Sequence, residues 1–134
     1  MPPVDWSLHD ADVAIDEETE DTGARYNVAP TQPLTVVLQR AEQGRLVEQH
    51  RWGLVPSFAK SLKDGAKRIN ARAETVATSP SFRSSFRKRR CIVPSDGFYE
   101  WRRTGGPKQP YFLHPPQDAV LRMAEVGEGG EETR

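Results

Sequence analysis

Apolar and polar positions alternate over two neighbouring stretches of the chain, and this alternation predicts a β-hairpin. Residues 34–38 are apolar and mostly β-branched, and residues 45–52 alternate well enough to pair back on them. Residues 41–44, Ala-Glu-Gln-Gly, have the composition of a turn between the two strands. The two prolines and the asparagine of residues 26–33 predict an extended loop ahead of the hairpin.

A short helix is predicted where Ser79-Pro80 supplies an N-cap and a first-turn proline. Phe82 and Phe86 lie four residues apart, so they would share the buried face of this helix. Its second face would present two cations at the same spacing, Arg83 and Arg87.

Three further strands are predicted in the second half of the chain, at residues 91–93, 98–101 and 111–113. Turns are expected at residues 95–97, Ser-Asp-Gly, and at Gly105-Gly106. The sequence therefore predicts an α+β domain, mainly antiparallel, with one short helix.

Three segments are predicted to lack regular structure. Residues 1–24 carry a run of acids, and residues 60–68 form a basic stretch interrupted by glycine. From Met123 onward the chain consists largely of Gly and Glu, with no period that would form a core. The last segment is expected to be a tail that does not contribute to the fold.

The composition fits one domain of 134 residues with a single small core, since the apolar fraction is 36% and the mean hydropathy is −0.71. One cysteine excludes an internal disulfide and a cysteine-based metal cluster, and the three histidines have no metal-ligand spacing. The sequence therefore predicts no metal and no cofactor. It contains neither a long apolar segment nor a secretory signal pattern. These features predict a cytoplasmic protein, associated with the nucleoid if prokaryotic, with no membrane partner.

The formal net charge of zero conceals a strong asymmetry along the chain. Residues 1–21 carry eight acids and no Lys or Arg, and residues 118–134 carry five acids and two bases. Residues 22–117 carry 17 bases and six acids. A basic body of this kind is typical of a phosphate-binding protein, although a solvated arginine-rich surface explains the charge equally well.

Glu100 is a candidate general acid or base because aromatic residues flank it. Strand alternation would place Phe98 and Glu100 on one face, and Tyr99 and Trp101 on the other. A carboxylate among rings is desolvated, which favours proton transfer near neutral pH. The alternative is an edge-strand glutamate paired with one of the arginines that follow it.

Two other segments offer polar or aromatic groups that suit a nucleic acid. Asn70 can orient a substrate oxygen and Arg72 can hold a phosphate, although a turn asparagine and a surface arginine are the simpler interpretation. Residues 26–30 and Trp52-Gly53 combine rings or a rigid proline with flexible backbone, so they suit stacking on bases or wedging between them. Core packing is the alternative for these rings. Cys91 begins an apolar strand and is expected to be a buried structural thiol.

Four segments of the chain carry a resemblance to a known family: Arg-Tyr-Asn-Val-Ala-Pro-Thr (25–31), Trp-Gly-Leu-Val-Pro (52–56), Ile-Asn-Ala-Arg-Ala-Glu-Thr (69–75) and Gly-Phe-Tyr-Glu-Trp (97–101). Together they resemble the SRAP family of abasic-site processing proteins, and the resemblance covers roughly residues 25–114. The family has a compact α+β fold with a mainly antiparallel, barrel-like sheet and a basic groove for single-stranded DNA. The resemblance therefore implies single-stranded DNA containing abasic sites as the partner.

The resemblance also implies roles for particular residues. Family members form a thiazolidine crosslink between an N-terminal cysteine and the aldehyde of an abasic site, and they carry a peptidase label. Asn70 and Glu100 would be catalytic, the first positioning the sugar and the second transferring protons. Five residues would contact DNA, with Arg72 gripping a phosphate: Asn27, Pro30, Trp52, Gly53 and Arg72.

The chain departs from the family pattern in three places. Residue 2 is proline where the family has cysteine, no segment matches the family's His-x-Arg-Met-Pro, and the chain is shorter than the roughly 200 residues of family members. We therefore expect a partial SRAP domain at residues 25–117, between an acidic segment (1–24) and an acidic Gly/Glu-rich tail (118–134). A non-catalytic DNA-binding module or an inactive truncated product remains open. If the initiator methionine is removed, Pro2 becomes an N-terminal secondary amine that can form an iminium with an aldehyde, which keeps covalent chemistry possible.

Overall fold

The computed structural model describes residues 23–103, 105–117 and 119–127, together with the backbone of residues 17–18. The described residues form two mainly antiparallel sheets, one 3₁₀ helix and one short α-helix, which confirms the predicted α+β class. The strands are β1 (Glu17–Glu18), β2 (Pro33–Arg40), β3 (Gly44–Arg51), β4 (Arg90–Ser95), β5 (Phe98–Arg102), β6 (Gln109–Leu113) and β7 (Leu121–Val126); the helices are the 3₁₀ helix Leu62–Lys67 and α1 (Arg83–Lys88).

The larger sheet has five strands in the order β1-β3-β2-β4-β7. Its centre is the predicted hairpin, in which Pro33 to Arg40 pair with Arg51 to Gly44 in antiparallel register. Gly44 closes the turn with a φ of +77°, a conformation that favours glycine. Among the described strands, β1 is the one that runs parallel to its neighbour, and it pairs with β3. The alternation of residues 34–38 and 45–52 therefore predicted this hairpin correctly.

One face of this sheet carries the small core of the domain. Leu38 pairs with both Leu46 and Cys91, so alternate residues of β2, β3 and β4 point to the same side. Val36 is fully buried on that side, and Leu46 and Cys91 are buried with it. Among the described residues, Leu54 and Pro56 are the other apolar side chains that are buried.

The described strands do not close the five-stranded sheet into a barrel. β7 and β3 are separated in the sheet by two strands. Even so, a Cβ built on Gly127, directly after β7, would lie 3.6 Å from His50 Nδ1 near the end of β3. The open, mainly antiparallel sheet is therefore the part of the implied barrel-like fold that the described residues show.

The expectation that nothing from Met123 onward contributes to the fold is wrong. Leu121–Val126 forms β7 and pairs along the whole of β4. The Gly127 N–H extends the pairing, because it donates to the Arg89 carbonyl at 2.7 Å. β4 presents a row of backbone donors and acceptors, so β7 forms on these partners although its own side chains alternate poorly.

Two local predictions also need correction. Residues 60–68 contain the 3₁₀ helix Leu62–Lys67 rather than a loop, because the Ser61 hydroxyl accepts from the Lys63 N–H and starts a helical turn. The α-helix begins at Arg83 rather than at Ser79-Pro80, where the chain forms turns. The Ser79 carbonyl instead accepts from the N–H groups that open the helix, which lies one turn later than predicted.

The two cations of α1, Arg83 and Arg87, are exposed as predicted. Its two aromatic rings are less buried than predicted. Phe82 and Phe86 are half-buried, and the buried residue of the helix is Ser85.

β5 and β6 form a separate two-stranded ribbon, joined by the predicted turn region around Gly105-Gly106. Both faces of the ribbon carry large apolar side chains that remain exposed. Tyr99 packs against Phe112 with ring centroids 5.2 Å apart, and Phe112 stacks on His114 at 5.5 Å. The exposed apolar residues of the ribbon are Phe98, Tyr99, Trp101, Tyr111, Phe112 and Leu113.

Some expectations fall on residues outside the described part of the chain. The low order expected of residues 1–24 and the chemistry of Pro2 concern mainly residues 1–16 and 19–22, which are not described, whereas the backbone of Glu17–Glu18 lies along β3. Residues 128–134 of the expected tail are likewise outside it. In the described residues, no helix is both long and apolar enough to cross a membrane.

Glu125 on β7 makes a pH-dependent contribution to stability. Burial raises the pKa of its carboxyl above the ordinary value of 4.5, and the nearby His50 partly offsets this. A carboxyl with a raised pKa favours folding at pH values below its unfolded pKa, and this contribution is lost as pH rises through the folded pKa. Glu125→Gln is therefore expected to raise the free energy of unfolding, relative to the original chain, more at pH 7.5 than at pH 4.5.

Urea denaturation at the two pH values measures this difference. Glu42→Gln is the control, because Glu42 is exposed in the hairpin turn. An effect of Glu125→Gln that is the same at both pH values would contradict the prediction.

Candidate nucleic-acid interface

A wide groove with a volume of about 1040 Å³ is lined by residues of both sheets, α1 and several loops. The loop of residues 23–30 forms one wall, and the segment of residues 68–73 forms another. Residues from the strands β2, β4, β5, β6 and β7 and from α1 contribute to the rest of the lining. Four of the residues predicted to act in catalysis or DNA binding meet here: Asn27, Pro30, Trp52 and Asn70.

Trp52 connects two walls of this groove. Its backbone is paired with the preceding loop, because the Thr31 N–H donates to the Trp52 carbonyl at 2.8 Å and the Trp52 N–H donates to the Gln32 carbonyl at 3.0 Å. Its indole N–H donates to the Ile69 carbonyl at 2.8 Å. The half-buried Trp52 therefore fixes the loop that carries Pro30 next to the segment that carries Asn70.

Asn70 and Arg72 are both exposed, but only Asn70 lines the groove. Arg72 lies between two lining residues, Ala71 and Ala73, and is not itself part of the lining. The Arg72 carbonyl accepts from the Thr75 and Val76 N–H groups, so Arg72 opens the series of turns over residues 73–78. Its guanidinium extends from a fixed turn at the edge of the groove.

Gly53 is buried under the groove and does not line it. Its φ is +131°, and a Cβ at this position would lie 2.6 Å from the Gly65 carbonyl oxygen. A Cβ on Gly65 would in turn lie 2.7 Å from the Gly53 carbonyl oxygen. The two glycines let the backbone after β3 pack directly on the 3₁₀ helix, which sets the position of Trp52.

Glu100 is not brought into the groove with Asn70. It is exposed on β5 and faces Tyr111 of β6, while its neighbours Tyr99 and Trp101 line the groove. The Tyr99 hydroxyl donates to the Tyr26 carbonyl at 3.3 Å and so ties the ribbon to the first wall. The desolvation on which the Glu100 prediction depended is therefore not present within the described residues.

Three arginines line the groove, Arg25, Arg68 and Arg90, against two acids, Asp96 and Glu125. The lining therefore carries one more base than acid. Sequence analysis singled out none of these three arginines. Arg25 was the one with a usable signal, because it begins the motif of residues 25–31, whereas Arg68 lies just before the motif of residues 69–75.

Cys91 is confirmed as a buried thiol. Burial raises its pKa to about 12, and Glu125 opposite it on β7 adds to the effect. A thiol with this pKa stays protonated at neutral pH, so it is a poor nucleophile. Within the described ranges, no cluster of His, Cys, Asp and Glu has the arrangement of a metal site.

The family model described as SOS response associated peptidase (SRAP) matches residues 5–133. This chain belongs to the SRAP family. The match spans almost the whole sequence and includes the loop, the groove and β7, so the SRAP assignment rests on more than the four short motifs.

Individual relatives agree with the SRAP assignment. The chain is 51% identical over 78 residues to the abasic site processing protein YobE of Bacillus subtilis, covering 58% of this chain and 35% of YobE. It is 37% identical over 120 residues to the abasic site processing protein HMCES of Gallus gallus, covering 81% of this chain and 36% of HMCES. This SRAP chain therefore spans about a third of the length of these two relatives.

A solved structure confirms the SRAP fold. The crystal structure of a phage-related protein from Bordetella bronchiseptica superposes with a TM-score of 0.66 at 28% identity, covering 84% of this chain and 53% of that one. The mainly antiparallel sheets with few short helices are thus the architecture shared by this SRAP chain and its structural neighbour.

Proposed function

We propose that this chain binds single-stranded DNA in the groove and acts in the processing of abasic sites. The observation that carries the proposal is the meeting of Asn27, Pro30, Trp52 and Asn70 along one groove, although they come from three separate segments. The names of the related proteins supply the class of lesion. Membership of the SRAP family supplies the link to the response to DNA damage. A protein with this role works in the compartment that holds the chromosome.

Each group has a defined task in this proposal. The guanidinium of Arg72 holds a phosphate at the edge of the groove, where a bidentate contact adds orientation to charge. Pro30, Trp52 and Gly53 shape the place where the strand enters. The Asn70 amide offers both a donor and an acceptor to the sugar of the lesion. Glu100 transfers protons, which requires the β5–β6 ribbon to approach the sugar from its exposed face.

Binding to a labelled single-stranded oligonucleotide that carries one abasic site tests the groove. We expect affinity to fall as salt rises, because bound phosphates release counterions. Arg72→Ala is expected to weaken binding about tenfold and to reduce the salt slope by about 1, since one phosphate contact is lost. Fluorescence anisotropy across a salt series measures both values.

The matched control is Arg40→Ala, which removes the same charge from the end of β2, where Arg40 pairs with Glu48. It should leave the affinity and the salt slope unchanged. An affinity that changes neither with salt nor with Arg72→Ala would show that the groove is not the DNA-binding site.

A non-catalytic DNA-binding module is the second candidate, and the position of the thiol favours it. Thiazolidine formation needs an amine and a thiol on the same residue, and Cys91 is the one cysteine of these 134 residues. Its nitrogen lies in a peptide bond within β4, and its thiol is buried. These residues therefore supply DNA binding, while the covalent step needs a nucleophile other than Cys91.

A denaturing gel separates the two candidates. The non-catalytic module gives no band of protein joined to abasic DNA, with or without borohydride. A band that appears only after borohydride, and that Pro2→Gly with the methionine retained abolishes, would assign an iminium to the Pro2 amine. A band without borohydride would show a stable crosslink and reject the non-catalytic candidate.

A further inference from the structure

Arg68 makes hydrogen bonds to three different parts of the molecule. Its Nη1 donates to the Asp64 carbonyl at 2.8 Å, and its Nε donates to the Ser81 hydroxyl at 3.1 Å. Its own carbonyl accepts from the Leu54 N–H at 3.1 Å. The 3₁₀ helix, the turn before α1 and the strand-exit segment at residues 53–55 therefore converge on one half-buried residue, the first two through its side chain and the third through its carbonyl.

This convergence fixes the backbone on which Asn70 stands. The Ile69 carbonyl, between Arg68 and Asn70, is held by the Trp52 indole. In the described residues, no hydrogen bond restrains the Asn70 side chain itself, so its direction depends on the backbone of residues 68–70. Arg68 supplies one anchor of that backbone and Trp52 supplies the other.

The guanidinium is suited to this task for a geometric reason. Its donors lie in one rigid plane, so Nε and Nη1 can reach two different acceptors at once. A lysine at the same position keeps the charge but presents its donors from one nitrogen at the end of a flexible stem, rather than from two atoms of a rigid plane. A methionine keeps most of the apolar stem and loses every donor.

We propose that Arg68 is a positioning residue that holds Asn70 against the sugar of the bound strand. This inference rests on the proposed function, because it needs the abasic strand to lie in the groove. The competing role is direct contact between the Arg68 guanidinium and a DNA phosphate. The two roles differ in how they depend on charge. A phosphate contact would be kept by lysine and would contribute to the salt slope of binding. A positioning role would be lost with lysine and would not contribute to the salt slope.

The first experiment compares the affinities for two oligonucleotides of one sequence, with and without an abasic site. Arg68→Met and Arg68→Lys are both expected to lower the preference for the abasic strand about threefold to tenfold, the value of one or two hydrogen bonds, with the salt slope unchanged. Lys67→Met is the control, because it removes one exposed charge from the adjacent position. Full preference in Arg68→Lys, or a salt slope that falls in Arg68→Met, would overturn the proposal in favour of a phosphate contact.

A double-mutant cycle shows whether Arg68 acts through Asn70. If it does, Arg68→Met adds little to the loss of preference caused by Asn70→Ala, whereas independent roles give additive losses. Ser81→Ala removes one acceptor of Arg68 and serves if Arg68→Met does not fold; it is expected to cause a smaller loss in the same direction.

Amide hydrogen exchange in the protein without DNA separates this proposal from the proposed function. Arg68→Met is expected to speed exchange at the Leu54 amide, which donates to the Arg68 carbonyl, with Lys67→Met unchanged. Unchanged exchange overturns the positioning role even if DNA binds. If exchange is faster in Arg68→Met but the original chain shows no preference for abasic DNA, the proposed function is refuted. The role of Arg68 in fixing the backbone of residues 68–70 would still hold.

Discussion

Replacing Gly53 with alanine is expected to lower the free energy of unfolding by about 3 kcal/mol, because two costs coincide at this position. The backbone has a φ of +131°, which residues with a Cβ rarely adopt. The new Cβ would also lie 2.6 Å from the Gly65 carbonyl oxygen, a backbone atom that cannot move aside without shifting the 3₁₀ helix. Urea denaturation followed by circular dichroism measures the loss.

Three other glycines separate the two costs. Gly23→Ala carries the strained φ of +70° alone, since no other atom lies within 4 Å of its Cβ, and we expect a cost of about 1 kcal/mol. Gly65→Ala carries the close contact alone, with the Gly53 carbonyl oxygen at 2.7 Å. Gly105→Ala has neither and should be neutral. A cost at Gly53 no larger than that at Gly23 would contradict the close packing.

Gly53→Ala also has an expected effect on function. Gly53 directly follows Trp52, whose indole N–H donates to the Ile69 carbonyl at 2.8 Å, so a shift of the backbone at position 53 would displace Trp52 from Ile69. A chain that still folds with alanine at position 53 should therefore bind the abasic strand less tightly, even though Gly53 does not line the groove.

The second large effect is expected at Leu46, where alanine should lower the free energy of unfolding by about 2–4 kcal/mol. Leu46 is 4% exposed on β3, beside the fully buried Val36 of β2. In the described part of the chain, the buried core consists of Val36, Leu46, Leu54 and Cys91 together with Pro56, so a cavity at one of them removes a large share of the core. Domains of this size have only about 5–15 kcal/mol of stability, which makes the loss readily measurable.

Leu62→Ala is the matched control, because Leu62 undergoes the same change with 62% of its surface exposed. We expect it to change stability by no more than about 0.5 kcal/mol. Similar losses at Leu46 and Leu62 would show that the core does not lie on this face of the sheet.

The residues that line the groove show how much of the candidate site could be predicted from the sequence. Asn27, Pro30, Trp52 and Asn70 were selected from their chemistry and from the SRAP resemblance, and the structure brings them together. The same criteria selected Glu100, which is exposed on β5 outside the groove. Aromatic neighbours in the sequence do not bury a carboxylate unless another element covers the strand that carries it.

Arg68 shows the opposite case, a residue that the sequence offered no reason to choose. Its surroundings belong to a basic, glycine-interrupted stretch that predicted a loop, whereas the chain forms a 3₁₀ helix there. Its bonding partners lie at Asp64 and Ser81, and Leu54 bonds its carbonyl. Contacts over such separations leave no periodic pattern in the sequence.

The sequence by itself determined the hairpin of β2 and β3, the positions of β4, β5 and β6, the basic character of residues 22–117 and the SRAP family. These features depend on neighbouring residues, through side-chain alternation, turn residues and local motifs, which a linear pattern records. Only the tertiary structure decided that β7 completes the sheet, that Gly53 packs on Gly65, and that Arg68 anchors the segment of Asn70. These features depend on backbone partners far apart in the chain, because hydrogen bonds and close packing are satisfied by whichever atoms the fold brings within reach.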